Sequence, residues 1–249
     1  MQNDIRKEQK YSLTLAGRSF VIAFGRDSTA AYFKDWCHPC AAAEPPLSLH
    51  CSDWEFWQSC GLPVTEDSEY SLWAGRISEE LMPYGCFLFH AAAFCCQGMA
   101  YLIAAPSGTG KTTQIRALQK LLPGKIEIIC GDRPLVEFSE GGEVMVYPSP
   151  WNGKEGLSGG SPAPLAGVIV LRRGNRNEIC RLRKKEAIVP LYYSVIHNQT
   201  SEEIIRKAVR LEEALLQSVP LWKLISCEVP GSTRLLVTEV LNEECHGKI

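Results

Sequence analysis

An α/β fold is what the sequence predicts, and three observations carry the prediction. Residues 100–104 are a short apolar strand; residues 111–122 then place Ile115, Leu118, Leu121 and Leu122 on one helical face; residues 126–130 are a second apolar strand. Strand, glycine-bearing loop, helix, strand is a βαβ unit, so parallel strands in one sheet are the expected consequence. Pro123 and Gly124 end the helix.

The chain has 249 residues, 45% hydrophobic and 22% charged, which is enough to build a sizeable core. No clean boundary interrupts it, and the expected organisation is a single domain over 1–249. Within it lie a polar tail (1–10), a β-rich N-terminal portion (11–84), and a core with C-terminal helices (85–249), the core carrying the glycine-bearing loop. Lys plus Arg number 26 and Asp plus Glu 28, a net charge of −2. That balance lacks the basic excess of a nucleic-acid binder, so no nucleic-acid partner is expected. No apolar run reaches the roughly 18 residues of a membrane span, the longest being broken at His90, and no membrane partner is expected. The polar start lacks the apolar stretch of a secretory signal, which predicts a cytoplasmic address. Eleven scattered cysteines are then expected as reduced thiols rather than a disulfide framework.

In chain order, residues 11–24 read as a hairpin turning at Ala16, Gly17 and Arg18. Residues 27–68, with Trp36, Trp54 and Trp57 among several prolines, read as irregular but packed. Residues 168–171 form a strand leading into a basic turn. Thr200, with Glu203 three places on, reads as the capping box of a helix whose apolar face holds Ile204, Ile205, Ala208, Val209, Leu211, Leu215 and Leu216 and which Pro220 closes. Ser232 or Thr233 reads as the cap of a last helix, with Leu236, Val237, Val240 and Leu241 turned inward before a polar tail.

The chemistry centres on Ala105, Pro106, Ser107, Gly108, Thr109, Gly110, Lys111, Thr112 and Thr113, which join the first strand to its helix. This is the context of a Walker A loop. Backbone amides around residues 107–111 are expected to cradle β- and γ-phosphates at the positive helix N-terminus. Gly108 and Gly110 permit the bend, Lys111 adds a mobile charge, and the Thr112 hydroxyl is placed to ligate Mg²⁺. The strict pattern has Gly where Ala105 stands, and a Cβ there limits a positive φ. Asp132, just past the strand at residues 126–130, is the candidate acid near the metal; its other reading is a turn cap.

These residues resemble the HPr kinase/phosphorylase and phosphoenolpyruvate carboxykinase superfamily, in particular small single-domain proteins similar to the HPr kinase catalytic domain. The resemblance rests on Phe89, His90 and Ala91 to Ala93, on the loop at residues 106–113, and on Cys130, Gly131, Asp132 and Arg133, and it spans roughly residues 81–154. It implies an HPr kinase-like P-loop fold, a mixed sheet with flanking helices. It also implies ATP and Mg²⁺ as cofactors, His90 near the active centre, and Arg133 in substrate or phosphate contact. The family carries two adjacent acids before an Arg; here one is missing. Either Gly131 stands in the first acid's place, which keeps one more identity, or Arg133 replaces the second. In both registers the phosphorylase half-reaction lacks its second acid and a kinase must run on one carboxylate, which a loose transition state stabilised by positioning and charge permits.

The expected function is therefore an ATP- and Mg²⁺-dependent kinase transferring the γ-phosphate to a hydroxyl, serine above all, of a protein or peptide, with an oligomer compatible. The alternatives are a nucleotide-binding regulatory or scaffold protein that has lost catalysis, and a small-molecule kinase. Asp132 and His90 are the expected catalytic pair, although a His among alanines also reads as a hydrogen-bonded core histidine. Residues 107–113 are the expected nucleotide site, and Thr112 with Asp132 the metal ligands. Residues 147–155 form a loop able to cover the phosphates, with Lys154 either a phosphate contact or an exposed loop lysine. Cys37 and Cys40 have thioredoxin-like spacing, but Pro45 and Pro46 interrupt the helix such a site needs; a zinc site with Cys51 and Cys60 lacks a second close pair. Arg172, Arg173, Arg176, Arg181, Arg183, Lys184 and Lys185 read as a solvated hairpin or as a dock for acidic or phosphate groups.

Overall fold

The computed structural model of the chain describes residues 9–65, 67–153, 155–198 and 201–241. By their contacts these fall into two compact units, one of residues up to 77 with 197–200, the other of residues 78–196 and 201 onward.

The first unit opens with the expected hairpin, β1 (Lys10–Leu15) and β2 (Arg18–Ala23), paired antiparallel from Leu15↔Arg18 outward. Ala16 and Gly17 turn the chain with φ of 45° and 74°, the left-handed pair that matches strand twist in a two-residue turn. After α1 (Asp27–Tyr32), β3 (Cys37–Pro39) joins the other edge of β1. α2 (Cys51–Ser59) and α3 (Ser68–Leu81) follow. The portion expected to be β-rich thus carries three helices. Their apolar residues are interspersed with aromatics and acids such as Asp53 and Glu69, both buried, and buried acids blur the period that marks a helix. Glu69 accepts hydrogen bonds from Thr29 Oγ1 (2.8 Å) and the Gly25 amide (2.7 Å).

The second unit is a curled mixed sheet flanked by helices, as expected for the fold class. Its elements are β4 (Cys86–Leu88), β5 (Ala91–Cys96), β6 (Met99–Ala104), α4 (Lys111–Leu121), β7 (Ile126–Cys130), β8 (Leu135–Phe138), β9 (Val144–Tyr147), β10 (Ala163–Arg173), β11 (Glu178–Arg181), α5 (Lys184–Tyr192), α6 (Glu202–Ser218), β12 (Leu221–Ser226) and α7 (Val229–Leu236). Strand order runs β4-β8-β9-β10-β6-β5-β7, with β12 beside β10 and β11 beyond it.

Alternation assigns the faces. Ala91, Ala93, Leu102, Ala104, Val168 and Val170 pack with Ala187 and Leu191 of α5 and Ala208 and Leu215 of α6. Ala92, Phe94, Ile103 and Ile169, on the other face, pack with Ile115 and Leu118 of α4 and Leu236 of α7. One-residue offsets along a strand therefore decide which helix layer a side chain serves. Among the described residues no helix is long and apolar enough to cross a membrane.

Several local expectations are revised. β6 and β7 run in the same direction but do not touch, because β5 lies antiparallel between them. β10 and β11 are not a hairpin: β12 enters between them, parallel to β10 and antiparallel to β11. Leu121 and Val209, assigned to apolar faces, are exposed. Thr200 lies outside the described residues, and α6 is capped by Ser201, whose side chain accepts from the Ile204 amide. α7 starts earlier than expected, on Glu228, which accepts from the Gly231 amide; Ser232 and Thr233 lie inside it and are buried.

Candidate functional site

The loop expected to hold phosphates leaves β6 at Ala104 and enters α4 at Lys111. Gly108 and Gly110 have φ of 74° and 114°, the left-handed backbone that side chains disfavour. Among described residues other than glycine, only Ala16 and Gln97 have positive φ. Ala105 is therefore not strained, which is why the departure from glycine is tolerated. Ser107 and Thr113 are exposed, while Thr109 and Thr112 are half-buried.

Three chain segments meet at one end of this loop. Lys111 turns back so that its Nζ lies 2.9 Å from Ala105 O and 2.9 Å from His90 Nε2. His90 sits at the bend between β4 and β5 and is partly exposed, not a core histidine. The same Nε2 is 3.4 Å from Asp132 Oδ1, and Asp132 Oδ2 is 3.4 Å from Arg133 Nε. One imidazole nitrogen either accepts from Lys111 or donates to Asp132, so the two contacts are alternatives. Burial lowers the pKa of Lys111, with Asp132 opposing that fall and Arg133 adding to it. Burial pushes the Asp132 carboxyl up, but the hydrogen bond with His90 and the charges of Arg133, His90 and Lys111 together hold it below the usual carboxylate range.

Asp132 is placed by its surroundings rather than by its neighbours in sequence. The Arg133 amide donates to Trp151 O (2.9 Å), the Gly131 amide to Leu157 O (2.7 Å), and Ser149 Oγ to Arg133 O (2.5 Å). Trp151 is fully buried. The 148–158 loop thus packs against the Asp132 segment, with β8 and β9 intervening in sequence, and Glu155 reaches Arg116 of α4 at 2.5 Å. Lys154 lies outside the described residues. A Cβ at Gly131 would come within 2.6 Å of Asn152 O and 3.2 Å of Leu157, so this backbone has no room for a second acid there.

Two residues make contacts at the loop and at α4 that the sequence did not announce, although Arg173 belongs to the basic stretch read there as a hairpin or a phosphate dock. Arg173, at the end of β10, donates from one terminal guanidinium nitrogen to Gly108 O (2.6 Å), with Nε at 3.4 Å from Thr109 O. Gln114, in the first turn of α4, donates to Ser232 Oγ (2.7 Å) and Ser226 Oγ (3.2 Å) and accepts from Thr233 Oγ1 (2.8 Å). Gln114 stands beside Ile115 on the core side of its helix, a polar residue on an apolar stripe, which was the one available signal. Its partners are more than a hundred residues away in sequence.

A cavity of about 760 Å³ adjoins the loop, lined among others by His90, Ala105, Pro106, Val170, Val189 and Tyr193. The described cysteines are all free, Cys37 buried and its thiol pushed up by burial to about 12. A thiol held protonated on a strand is unsuited to redox cycling, which needs thiolate. No cluster of three or more His, Cys, Asp or Glu among the described residues suits a metal.

Among solved structures the chain is similar to the Hpr(Ser) kinase/phosphatase from Coxiella burnetii, with 13% identity over 64% of this chain and 90% of that one and a TM-score of 0.37. No family model and no curated protein matches the chain.

Proposed function

We propose that this chain is an ATP- and Mg²⁺-dependent kinase that transfers the γ-phosphate to a hydroxyl, serine above all, of a protein or peptide. The observation that carries the reading is the convergence of Lys111, His90, Asp132 and Arg133, from three separate segments, at the end of a glycine-bearing strand-to-helix loop.

In this reading the amides of residues 107–111 and the Lys111 ammonium hold the phosphates, and Lys111 exchanges its contact with His90 for them. Thr112 and Asp132 offer a hydroxyl and a carboxylate oxygen, a donor set that suits Mg²⁺ completed by phosphate oxygens and water. Bound there, the ion would neutralise charge on the phosphates. Arg133 presents a second positive charge, and its Nε–H makes no hydrogen bond within the protein. The acceptor hydroxyl is oriented by Asp132 or His90, one of which takes its proton as the new O–P bond forms and the bond to ADP breaks.

Incubation with γ-labelled ATP and candidate peptides tests this directly. Lys111→Ala should weaken ATP binding by about tenfold or more, the scale of one charge-assisted contact, with the fold kept by circular dichroism. Equal affinity in calorimetry would remove the nucleotide reading. A second reading, a nucleotide-binding regulator without catalysis, is favoured by the closed space at Gly131, which leaves a single acid. Nucleotide binding without transfer to any hydroxyl acceptor would decide for it, and transfer to a free alcohol in preference to peptides would indicate a small-molecule kinase.

A further inference from the structure

We propose that the cavity beside the loop seats the acceptor as an extended peptide, with an apolar side chain next to the phosphorylated hydroxyl and an acidic residue beyond it. This rests on the kinase reading and adds the class of acceptor.

Position comes first. Lys111 is the group that would follow the terminal phosphates, and its ammonium lies against Ala105 O and His90. Both Ala105 and His90 line the cavity. The cavity therefore lies on the side of the loop where Lys111 meets His90, the side on which an acceptor hydroxyl would meet the γ-phosphate.

Next is chemistry. The far wall is α5 and its C-terminal cap, where Val189 and Tyr193 stand four residues apart and are 64% and 77% exposed. Apolar side chains so open at the mouth of a cavity are available to cover a ligand's apolar group. A volume of about 760 Å³ exceeds what a single serine-sized acceptor fills and suits several residues of peptide. Charge decides the rest. Arg172 is exposed at the rim, and Lys185 lies one helical turn before Val189 on the same strip. The acid on this wall, Glu186, is already paired with Arg183. The rim is thus positive around an apolar floor, which complements an acidic and apolar peptide.

The wall is also tied by backbone hydrogen bonds to the segment that carries His90. The His90 amide donates to Ser194 O (2.6 Å), just past α5, and the Ile196 amide donates to Leu88 O (3.0 Å). The segment that carries His90 and the segment that follows α5 are joined by backbone hydrogen bonds, so a peptide seated on Val189 and Tyr193 is held at a defined distance from His90 and Asp132.

The test uses the full chain with ATP and Mg²⁺ and a fluorescent peptide bearing Phe beside Ser and Asp two residues on, compared with a Phe-to-Ser and an Asp-to-Lys version. Binding is read by polarisation and transfer by labelled phosphate. Val189→Asp should weaken peptide binding and raise KM about tenfold or more, the scale of losing one buried aliphatic contact, with ATP affinity unchanged. Arg172→Glu should do the same for the Asp peptide and improve the Lys peptide. Transfer that both variants leave unaltered, or preference for the Phe-to-Ser peptide, overturns the pocket and leaves the kinase reading standing. Peptide binding that depends on Val189 without transfer by the wild type overturns the kinase reading and keeps the pocket as a peptide site. Neither binding nor transfer overturns both.

Discussion

Two carboxylates of the second unit, the half-buried Asp132 and the buried Glu212, are both partly or wholly withdrawn from water and are driven in opposite directions. Asp132 is met by His90, Arg133 and Lys111, and these hold it ionised. Glu212, on α6, is 2% exposed, its Oε1 has no hydrogen-bond partner, and burial raises its pKa to about 7, against a smaller lowering by the Tyr192 backbone. Desolvation acts on both; what differs is the company of positive charge. A half-buried carboxylate kept charged by three cationic or donor groups is poised for work on another charged species, whereas one fully buried without such company is a cost to folding that varies with pH.

The largest expected effect lies on the first of these. Asp132→Asn removes the charge and keeps the shape, so phosphotransfer should fall by about 10³-fold or more while ATP still binds through the loop amides and Lys111. Turnover at the wild-type rate would show that Asp132 is a structural acid like Glu212.

Gly131→Asp asks whether a second carboxylate can join the first. Because a Cβ at this position would meet Asn152 O at 2.6 Å, the variant should lose about 3 kcal/mol of stability by overpacking and gain no activity. Denaturant midpoints and initial rates measure both. A stable and faster enzyme would mean that the 148–158 loop yields.

His90→Ala removes one of the groups that distinguish Asp132 from Glu212. The rate should fall by about 10²-fold, the lower end of a general-base or positioning contribution, with ATP affinity retained. Single-turnover measurement separates that from binding.

The smallest effect is on Glu212, and its sign follows from linkage. Its pKa is higher in the folded chain than the reference 4.5, so the folded state holds the extra proton, and the contribution is favourable below about pH 4.5 and lost as pH rises through 7. Glu212→Gln should therefore raise stability by about 1–3 kcal/mol at pH 8 and by nothing at pH 4, with activity unchanged. A gain that does not vary with pH would assign the effect to packing.

The same contrast separates what the amino-acid order determined from what folding decided. The opening hairpin, the strand and loop that lead into α4, and the α6 period were legible because each depends on neighbours a few residues away: φ at Gly17, Gly108 and Gly110, a 3.6-residue repeat, a proline stop. The juxtaposition of Lys111 and Asp132 could be anticipated from parallel strands sharing an edge, although not that β5 would stand between them. Nothing local announced that β12 would enter between β10 and β11 and bring Ser226 to Gln114, that Arg173 would fasten the loop carbonyls, or that Asn152 and Leu157 would fill the space beside Gly131. These are contacts between residues distant in the chain, and they exist only once burial of both sheet faces has selected one strand order, because the hydrogen bonds and charges that tune Asp132 and Lys111 come from groups that the sequence alone does not bring within reach.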